Sequence, residues 1–315
     1  VYIMGHRNGD MDSVGSGAGL CGAIRILRPD IPVNMVVDLE RNLAKPIIGR
    51  LNENLRDEEP VFISPEDALG KMDENSLLII VDTNNKDLLD SPEVYAAAKQ
   101  VVVIDHHRQV VNYIDNAVIF HHEPYASSAC EMTAELIQYF PGIDKLQSYY
   151  ADVMLAGIML DTKDFVMRTG VRTFEAAAFL RKLGADMVAV KNLFANTMAC
   201  IQKRSKLIAD AEIYKRCAIA VDDTADEYIR VASAQAADQM LEIVGVDASF
   251  VIFRIPTGVN ISARSLGAMN VQIIMEKLGG GGHQTMAAAQ LNDVRVTEAK
   301  AELISAIDEY IQNIS

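Results

Sequence analysis

The stretch VYIMGHRNGDMDS at residues 1–13 joins a short apolar run to a dense group of polar side chains. Such a run, here Val1 to Met4, predicts a buried strand of a parallel sheet. In open α/β sheets, ligands bind at the carboxyl ends of the strands. The polar residues that follow Met4 are therefore expected to line a ligand-binding crevice.

The same combination recurs further along the chain. Asp82, the segment Asp105-His106-His107 and Asp161 each follow a short apolar run, so they are expected at the same edge of the sheet. Carboxylates a few ångströms apart raise one another's pKa, and a crevice that holds several of them needs a counter-charge. A divalent metal ion is the simplest one, and the sequence therefore predicts a metal site.

The order of apolar runs predicts an α/β fold. Strands alternate with helices in the first half, which predicts a doubly wound, mostly parallel sheet, and a second, smaller α/β domain follows a charged linker helix. The expected domain boundaries are 1–195, 196–215 for the linker helix, and 216–315. The predicted strands are 1–4, 33–38, 77–82, 101–105, 118–120, 218–221 and two around a turn at 256–258; the predicted helices are 13–27, 127–140, 144–161, 172–183, 198–215, 225–239, 271–278 and one after 297.

Composition excludes several classes of protein. A formal net charge of −14 argues against binding along a long nucleic acid, which needs Lys and Arg to neutralise phosphates. No apolar run approaches the roughly 18 residues of a membrane span, and no signal peptide is present, so a cytoplasmic location is expected. The first residue is Val, which suggests a fragment of a longer protein. The cysteines lack metal-ligand spacing and are expected to be buried, reduced thiols: Cys21, Cys130, Cys200 and Cys217.

The polar clusters have structural alternatives. Asp10 and Asp12 lie two residues apart and could each face a different metal ion, but Asp12 or Ser13 could instead cap the following helix. Asp82 is expected to bridge two metal ions, and its alternative is a turn-forming residue. In Asp105-His106-His107 the middle residue suits direct ligation and its neighbours suit an orienting role, whereas the separate pair His121-His122 is expected to be mainly structural.

A second group of candidates lies near the carboxyl terminus. The run Gly279 to Gly282 would let the backbone approach a phosphate closely, and His283 could donate a hydrogen bond to it. The alternative is a flexible loop. Arg264 could hold a phosphate with its planar guanidinium, although a surface charge on a strand is its simpler interpretation.

These motifs together resemble the DHH phosphoesterase superfamily, over essentially the whole chain. The resemblance is carried by His6-x-Asn8-x-Asp10-x-Asp12, Asp82-Thr83-Asn84, Asp105-His106-His107, Asp161 and the Gly279–His283 run, which is similar to the DHH-associated domain. Ser262-Ala263-Arg264-Ser265 and Ala287-Ala288-Ala289-Gln290 make the chain most similar to the GdpP-type cyclic-di-AMP phosphodiesterases. Those proteins usually carry membrane helices, a PAS domain and a degenerate GGDEF domain ahead of this module.

The resemblance implies two Mn²⁺ ions as cofactors, with Fe or Mg as alternatives. The implied ligands are His6, Asp10 and Asp82 for one ion, and Asp12, Asp82, His106 and Asp161 for the other. The implied catalytic residues are Asp82, His106 and His107. The implied substrate-binding residues are Arg264, Ser265, Gly280, Gly281, Gly282 and His283.

The implied function is hydrolysis of cyclic-di-AMP to linear 5′-pApA by a two-metal mechanism. A phosphodiesterase for short oligonucleotides such as nanoRNA or pApA is the alternative, and a cyclic-dinucleotide receptor is the alternative outside enzymes. A DHH pyrophosphatase would lack this glycine run, and a RecJ-like exonuclease would need a basic groove. The expected partner is a small cyclic dinucleotide, without long nucleic acid or a membrane contact of this fragment, and the sequence leaves a homodimer open.

Overall fold

The computed structural model describes residues 1–55, 59–225 and 228–314. Backbone contacts divide the chain into two compact units, Val1–Ala195 and Asn196–Ser315. No helix of the described residues has the length and apolar character needed to cross a membrane. Cys21, Cys130, Cys200 and Cys217 are buried and form no disulfide within the described residues, as the sequence predicts.

The first unit is built around a parallel sheet. Its strands are β1 (Tyr2–Met4), β2 (Asn34–Val36), β3 (Phe62–Ile63), β4 (Leu77–Val81), β5 (Gln100–Asp105) and β6 (Ile119–His122), and its helices are α1 (Met11–Leu27), α2 (Lys45–Asn54), α3 (Pro65–Lys71), α4 (Pro92–Ala97), α5 (Ala129–Ile137), α6 (Ser148–Thr162), α7 (Val171–Lys182) and α8 (Met187–Leu193). Within the described residues the sheet order is β3-β2-β1-β4-β5-β6, and every neighbouring pair is parallel. The order reverses between β1 and β4, so a ligand-binding crevice is expected at their carboxyl ends.

Helices cover both faces of this sheet. Because successive strand residues point to opposite faces, Ile3 joins the core beneath α1, α2, α5 and α6, whereas Tyr2 and Met4 join the core beneath α3 and α4. All three side chains are buried. The doubly wound α/β sheet predicted from the sequence is confirmed, and it is parallel throughout the described part.

The second unit contains a mainly antiparallel sheet. Its helices are α9 (Met198–Ala209), α10 (Ile229–Met240), α11 (Val271–Lys277) and α12 (Val296–Ile314), and its strands are β7 (Glu212–Tyr214), β8 (Cys217–Asp222), β9 (Ala248–Ile255), β10 (Gly258–Ser265), β11 (Gly281–Gly282) and β12 (Met286–Asn292). In the described part, the order is β11-β12-β10-β9-β8-β7, with only β8 and β9 parallel. Helices α9 and α10 pack on one face, and α11 and α12 pack on the other.

The predicted linker helix at 196–215 is shorter than expected. Helix α9 ends at Ala209, and Glu212–Tyr214 forms β7, which pairs with β8. Cys200 and Leu207 of α9 are buried in the same core as α10. An amphipathic helix stabilises a fold by burying its apolar face, and α9 does so within the second unit.

Other boundaries differ by a few residues. The helix predicted from Asp144 begins at Ser148, because Asp144 lies in a single 3₁₀ turn that ends before Leu146. The helix predicted from residue 225 begins at Ile229, and positions 226–227 of that prediction lie outside the described residues. Strand β12 and helices α2, α3 and α4 were not predicted; the last two have only 7 and 6 residues, too few to show a helical period.

Candidate metal centre

The predicted ligands converge at the carboxyl edge of the parallel sheet. His6 follows β1, Asp82 follows β4, and His106 follows β5. These three strands are neighbours, so the side chains lie together where the strand order reverses. The remaining ligands come from helices. Asp10 and Asp12 lie at the start of α1, and Asp161 lies in the last turn of α6; all three carboxylates join the groups formed around these strand ends.

Asp82 lies at the centre of the cluster. Its Oδ2 is 3.3 Å from His6 Nε2, and its Oδ1 is 3.3 Å from His106 Nε2. One carboxylate therefore faces both histidines, which is the arrangement that a bridging ligand needs. The backbone of Asp82 has φ 61°, a left-handed conformation that is uncommon outside glycine and costs free energy. Such strain persists where the surrounding structure holds it, and it is frequent at functional sites.

His6 and Asp10 form one side of the centre. His6 Nδ1 lies 2.9 Å from the Arg7 carbonyl oxygen, so this nitrogen carries the proton and Nε2 faces Asp10 Oδ1 at 3.9 Å. Asp10 Oδ1 also accepts hydrogen bonds from the backbone N–H groups of Asp12 and Ser13. The N-cap of α1 is thus Asp10, and the alternative that Asp12 or Ser13 caps this helix is wrong.

Asp12, His106 and Asp161 form the other side. His106 Nε2 lies 3.7 Å from Asp12 Oδ2 and 3.4 Å from Asp161 Oδ2. Helix α6 can approach the start of α1 because residue 157 is glycine; a Cβ there would lie 2.9 Å from the Asp12 Cα atom. This close packing of the two helices brings the carboxylates of Asp12 and Asp161 to the same histidine.

The amino terminus of α5 holds the Asp12 carboxylate. The backbone N–H of Ala129 donates to Asp12 Oδ2 at 2.7 Å, and that of Cys130 donates to Oδ1 at 2.8 Å. The first N–H groups of a helix have no partner within the helix and favour negative charge. Asp12 is fully buried, and this helix end fixes both of its oxygens from 117 and 118 residues away.

The crowded charges shift the pKa values of the cluster. Burial opposes protonation of His6 and His106, but nearby carboxylates, Asp82 foremost, outweigh burial and raise each histidine pKa to about 10. Burial, reinforced by the Asp82 charge, raises the pKa of Asp12 to about 7. Burial and the Asp12 charge raise the pKa of Asp161 well above its usual value, whereas for Asp82 the facing histidines outweigh burial and lower its pKa.

The donor set fits divalent metal ions. Three groups of ligand atoms lie close enough to hold one: His6, Asp10 and Asp82; Asp12, His106 and Asp161; and Asp82, His106 and His107. Among the described residues, Asp82 Oδ1 and His106 Nε2 are buried polar atoms without a hydrogen-bond partner. Buried polar atoms are normally satisfied, so an additional positive group is needed at this point. Imidazole nitrogen and carboxylate oxygen are ligands that Mn, Fe and Mg accept.

His107 lies beside the centre but points differently from His106. Its Nδ1 is 2.9 Å from Asp105 Oδ1, and its side chain is 47% exposed, whereas that of His106 is 1% exposed. The sequence predicts this division between a ligating middle histidine and an orienting Asp105. His122, expected to be structural, contacts the His107 carbonyl oxygen through Nε2, and His121 lies beside Ile104 in the β6 and β5 pair.

The predicted substrate residues lie in the second unit. Arg264 on β10 is not a surface charge, because its side chain is 11% exposed and its Nε lies 3.2 Å from Asp238 Oδ1. Ser265 is buried, and its hydroxyl donates to the Met269 carbonyl and accepts from the Gly267 N–H. The Ser265 hydroxyl therefore organises the turn after β10, and its predicted contact with substrate stays a prediction.

The glycine run is partly strand rather than a flexible loop. Gly281 and Gly282 form β11 against β12, and a Cβ on Gly280 or Gly282 would lie 2.1 Å or 2.5 Å from the β12 backbone. A Cβ on Gly281 would meet nothing within 4 Å. His283 exchanges backbone hydrogen bonds with Met286, the residue paired with Arg264 across β12 and β10, so both predicted phosphate ligands lie at one edge of this sheet.

The supporting residues were harder to find from sequence. The contact between α5 and Asp12 joins positions more than 100 apart, and the sequence marks only the N-cap Ser128. The sequence gives no signal for a role of Thr162 next to Asp161. Its hydroxyl donates to the Ile158 carbonyl and accepts from the Phe165 N–H. Lys163, Asp164 and Phe165 then adopt left-handed backbone conformations, which composition does not predict.

The parallel sheet of order 3-2-1-4-5-6 thus carries His6, paired aspartates and an Asp-His-His segment at its carboxyl edge. The chain belongs to the DHH family: the model of the DHH family N-terminal domain matches residues 1–158, and that of the DHHA1 domain matches residues 215–313.

The chain is similar to named relatives in sequence and to a solved structure in fold. The chain is 43% identical to the cyclic-di-AMP phosphodiesterase PdeA of Listeria monocytogenes, over 98% of this chain and 47% of the relative. It is 41% identical to the cyclic-di-AMP phosphodiesterase GdpP of Bacillus subtilis, over 99% of this chain and 48% of the relative. The chain thus spans about half the length of these relatives. The fold matches an exopolyphosphatase-related protein from Bacteroides fragilis with a TM-score of 0.84 at 20% identity, over 98% and 92% of the two chains.

Proposed function

We propose that this protein is a phosphodiesterase that hydrolyses cyclic-di-AMP to linear 5′-pApA. The observation that carries the proposal is the position of Asp82, whose two oxygens face His6 and His106 at 3.3 Å each, within two adjoining groups of ligand atoms. The similarity to PdeA and GdpP supports a cyclic dinucleotide as the substrate.

We assign two divalent cations, Mn²⁺ by preference, to these groups. His6, Asp10 and Asp82 would hold one ion; Asp12, Asp82, His106 and Asp161 would hold the other. When bound, such a pair lowers the pKa of water and offsets the charge that develops on a phosphoryl group. Burial raises the pKa of Asp12 and Asp161 and repulsion between carboxylates adds to it; the same positive charge would offset that repulsion.

The protein's own residues would orient the substrate. His107 is half exposed and its Nδ1 is held by Asp105, so its Nε2 edge is available to contact the substrate. In the second unit, Arg264, Ser265, Gly280, Gly281, Gly282 and His283 are proposed to bind the distal phosphate and nucleotide. The backbone N–H groups of a glycine-rich segment and a guanidinium are both suited to phosphate oxygens.

The purified protein should be incubated with Mn²⁺ and cyclic-di-AMP, and the nucleotides separated by chromatography. We expect linear pApA as the product. Parallel reactions with cyclic-di-GMP, with pApA and with short oligoribonucleotides separate the alternatives: preference for the linear substrates would favour an oligonucleotide phosphodiesterase. Tight binding of cyclic-di-AMP without turnover in Mn²⁺ would favour a receptor and would contradict the proposal.

The route of hydrolysis can be tested separately. A pair of divalent cations supplies an activated water as the nucleophile, so we expect water to attack phosphorus directly. A single turnover in ¹⁸O-labelled water should place the label on the 5′-phosphate of pApA, as measured by mass spectrometry. An unlabelled phosphate would indicate a covalent enzyme intermediate.

A further inference from the structure

Asn84 is a buried amide just beyond the end of β4. It is 1% exposed, and its Nδ2 donates to Asp105 Oδ2 at 2.5 Å and lies 3.3 Å from the His107 carbonyl oxygen. Its Oδ1 accepts from the Val110 N–H at 3.4 Å. The backbone carbonyl of Asn84 also accepts from Ile114, so this residue ties the segment after His107 to the end of β4.

Asp105 connects this amide to an imidazole. Its side chain is fully buried, with Oδ2 bound by Asn84 and Oδ1 bound by the backbone N–H of His107 at 3.2 Å and by His107 Nδ1 at 2.9 Å. A buried carboxylate needs donors on both oxygens to remain in one position. Asn84 provides the donor on the side away from His107, and without it the Asp105 carboxylate could rotate.

The consequence falls on the His107 ring. A histidine whose Nδ1–H is held by a carboxylate has a fixed tautomer and orientation, and it presents Nε2 on its other edge. The His107 side chain is 47% exposed, so that edge is open to a ligand. Nδ1 of His107 thus lies 2.9 Å from Asp105 Oδ1, with Asp82 Oδ1 further away at 3.5 Å, and Nε2 is left to face a substrate.

We infer that Asn84 is a positioning residue for catalysis, acting through Asp105 to fix the ring of His107 so that its Nε2 faces the substrate. The inference deepens the proposed function and rests on it for the identity of the substrate. Asn84 lies 26 residues from Val110 and 21 from Asp105, so it fixes the histidine from a different strand. It does not itself contact the substrate.

The substitution Asn84→Asp tests this role, because it keeps the shape of the side chain but replaces a donor by an acceptor facing Asp105. We expect kcat for cyclic-di-AMP to fall about 10- to 100-fold, the range typical for residues that orient an active group. Metal content and KM should change little. The matched control is Asn85→Asp, since Asn85 uses its Oδ1 as an acceptor for Asp87 N–H and an aspartate can do the same.

A double-mutant cycle distinguishes positioning from a general structural effect. If Asn84 acts through His107, then Asn84→Asp should cause no further loss of kcat in the His107→Ala background. Independent, multiplying losses would overturn the inference. Should Asn84→Asp fail to fold, Asn84→Ser removes the same donor and enters the same cycle.

A spectroscopic measurement makes the test independent of activity. Long-range ¹H–¹⁵N correlation of the histidine rings in the metal-free protein should show His107 protonated on Nδ1, and Asn84→Asp should alter these signals while Asn85→Asp does not. Unchanged His107 signals in Asn84→Asp would overturn the inference. Wild-type protein that fails to cleave cyclic-di-AMP would refute the proposed function instead, while the ring signals would still report on Asn84.

Discussion

At the scale of a single residue, Asp82 lies between the two sides of the candidate metal centre. Within the part of the chain that the structure describes, no other aspartate of the candidate metal groups faces both His6 and His106. Its left-handed backbone, φ 61°, is held by the hydrogen bond from its N–H to the Ile104 carbonyl. The strained backbone therefore belongs to the carboxylate that faces both histidines.

Asp82→Ala should therefore abolish turnover without unfolding the protein, because it removes a ligand from both metal groups. Calorimetric titration with Mn²⁺ should show loss of both sites or severe weakening, with cooperative melting retained. His121→Ala is the matched control, and His122→Ala is also expected to have a small effect although its ring contacts the His107 carbonyl. Equal activity of wild type and Asp82→Ala would rule out the bridging role.

The histidine pKa values predict proton release when metal binds. Unfolded histidine has a pKa near 6.5, and His6 and His106 in the folded, metal-free protein have pKa values of about 10. The stability that protonated His6 and His106 contribute to the folded state is fully present below about pH 6.5. It is lost as the pH rises through about 10. Metal ligation requires neutral imidazole, so metal affinity should increase with pH over this window.

Mixing metal-free protein with Mn²⁺ in weakly buffered solution at pH 8 should release up to about two protons from these histidines. A pH indicator measures the release directly. The melting temperature of the metal-free protein should also decrease between pH 7 and pH 10. If no protons are released and metal affinity does not depend on pH, the assignment of His6 and His106 as ligands is wrong.

At the scale of one element, the amino terminus of helix α5 binds the carboxylate of Asp12, a candidate metal ligand. Its first two N–H groups bind the Asp12 carboxylate, and Ser128 caps the same turn by accepting from Glu131 N–H. The backbone of Ser128 is extended, with φ −163° and ψ 162°. A proline is tolerated at the first helical position and requires an extended residue before it.

Ala129→Pro should consequently preserve α5 but remove the N–H that binds Asp12 Oδ2. Because the Asp12 carboxylate is displaced, the affinity of the Asp12, His106 and Asp161 group for Mn²⁺ should fall about 10- to 100-fold, the usual effect of losing an orienting contact. Ala129→Ser, which keeps the N–H, is the control. Calorimetry with Mn²⁺ measures the effect, and unchanged affinity would show that α5 does not position Asp12.

The glycine run has separable structural and binding roles. Gly282 has φ 147° and no room for a Cβ, whereas Gly281 has open space around its Cα. We expect Gly282→Ala to lower the free energy of unfolding by about 1–3 kcal/mol and Gly281→Ala to change it by less than about 0.5 kcal/mol. Denaturant unfolding measures both. If the run binds phosphate, Gly281→Ala should still raise KM for cyclic-di-AMP, and an unchanged KM would count against that role.

The candidate metal ligands and the predicted phosphate-binding residues lie in different units of the molecule. The groups of ligand atoms found in the described residues all lie in Val1–Ala195, and Arg264 and His283 lie in Asn196–Ser315. The second unit has its own cores on both faces of its sheet. We therefore expect the first unit to carry the hydrolytic chemistry and the second to recognise the distal nucleotide.

Arg264→Lys and His283→Ala should leave metal content unchanged but weaken cyclic-di-AMP turnover. The loss should appear in KM if the contacts are equal in ground and transition states, and in kcat if they strengthen in the transition state. Bis-p-nitrophenyl phosphate, which has no second nucleotide, should be much less affected. Equal losses on both substrates would show that these residues serve the metal centre or the fold, and the proposed division would be wrong.

The sequence by itself determined the sheet and the ligand types. Buried strands leave continuous apolar runs, and the polar residues that follow them must meet at one edge because parallel strands share a direction. His6, Asp82 and His106 could therefore be placed together before any coordinates. The order of the residues also predicts separate roles for His106 and His107, and these roles stay predictions.

Only the tertiary structure decided what holds these ligands. The α5 contact with Asp12 spans more than 100 residues, the Asn84 amide reaches Asp105 on a neighbouring strand, and β7 forms where a continuous helix was predicted. Each depends on which elements pack together, and local periodicity carries no information about partners distant in sequence. Packing also decided the glycine run, since β12 lies against it and leaves Gly280 and Gly282 no room for a side chain.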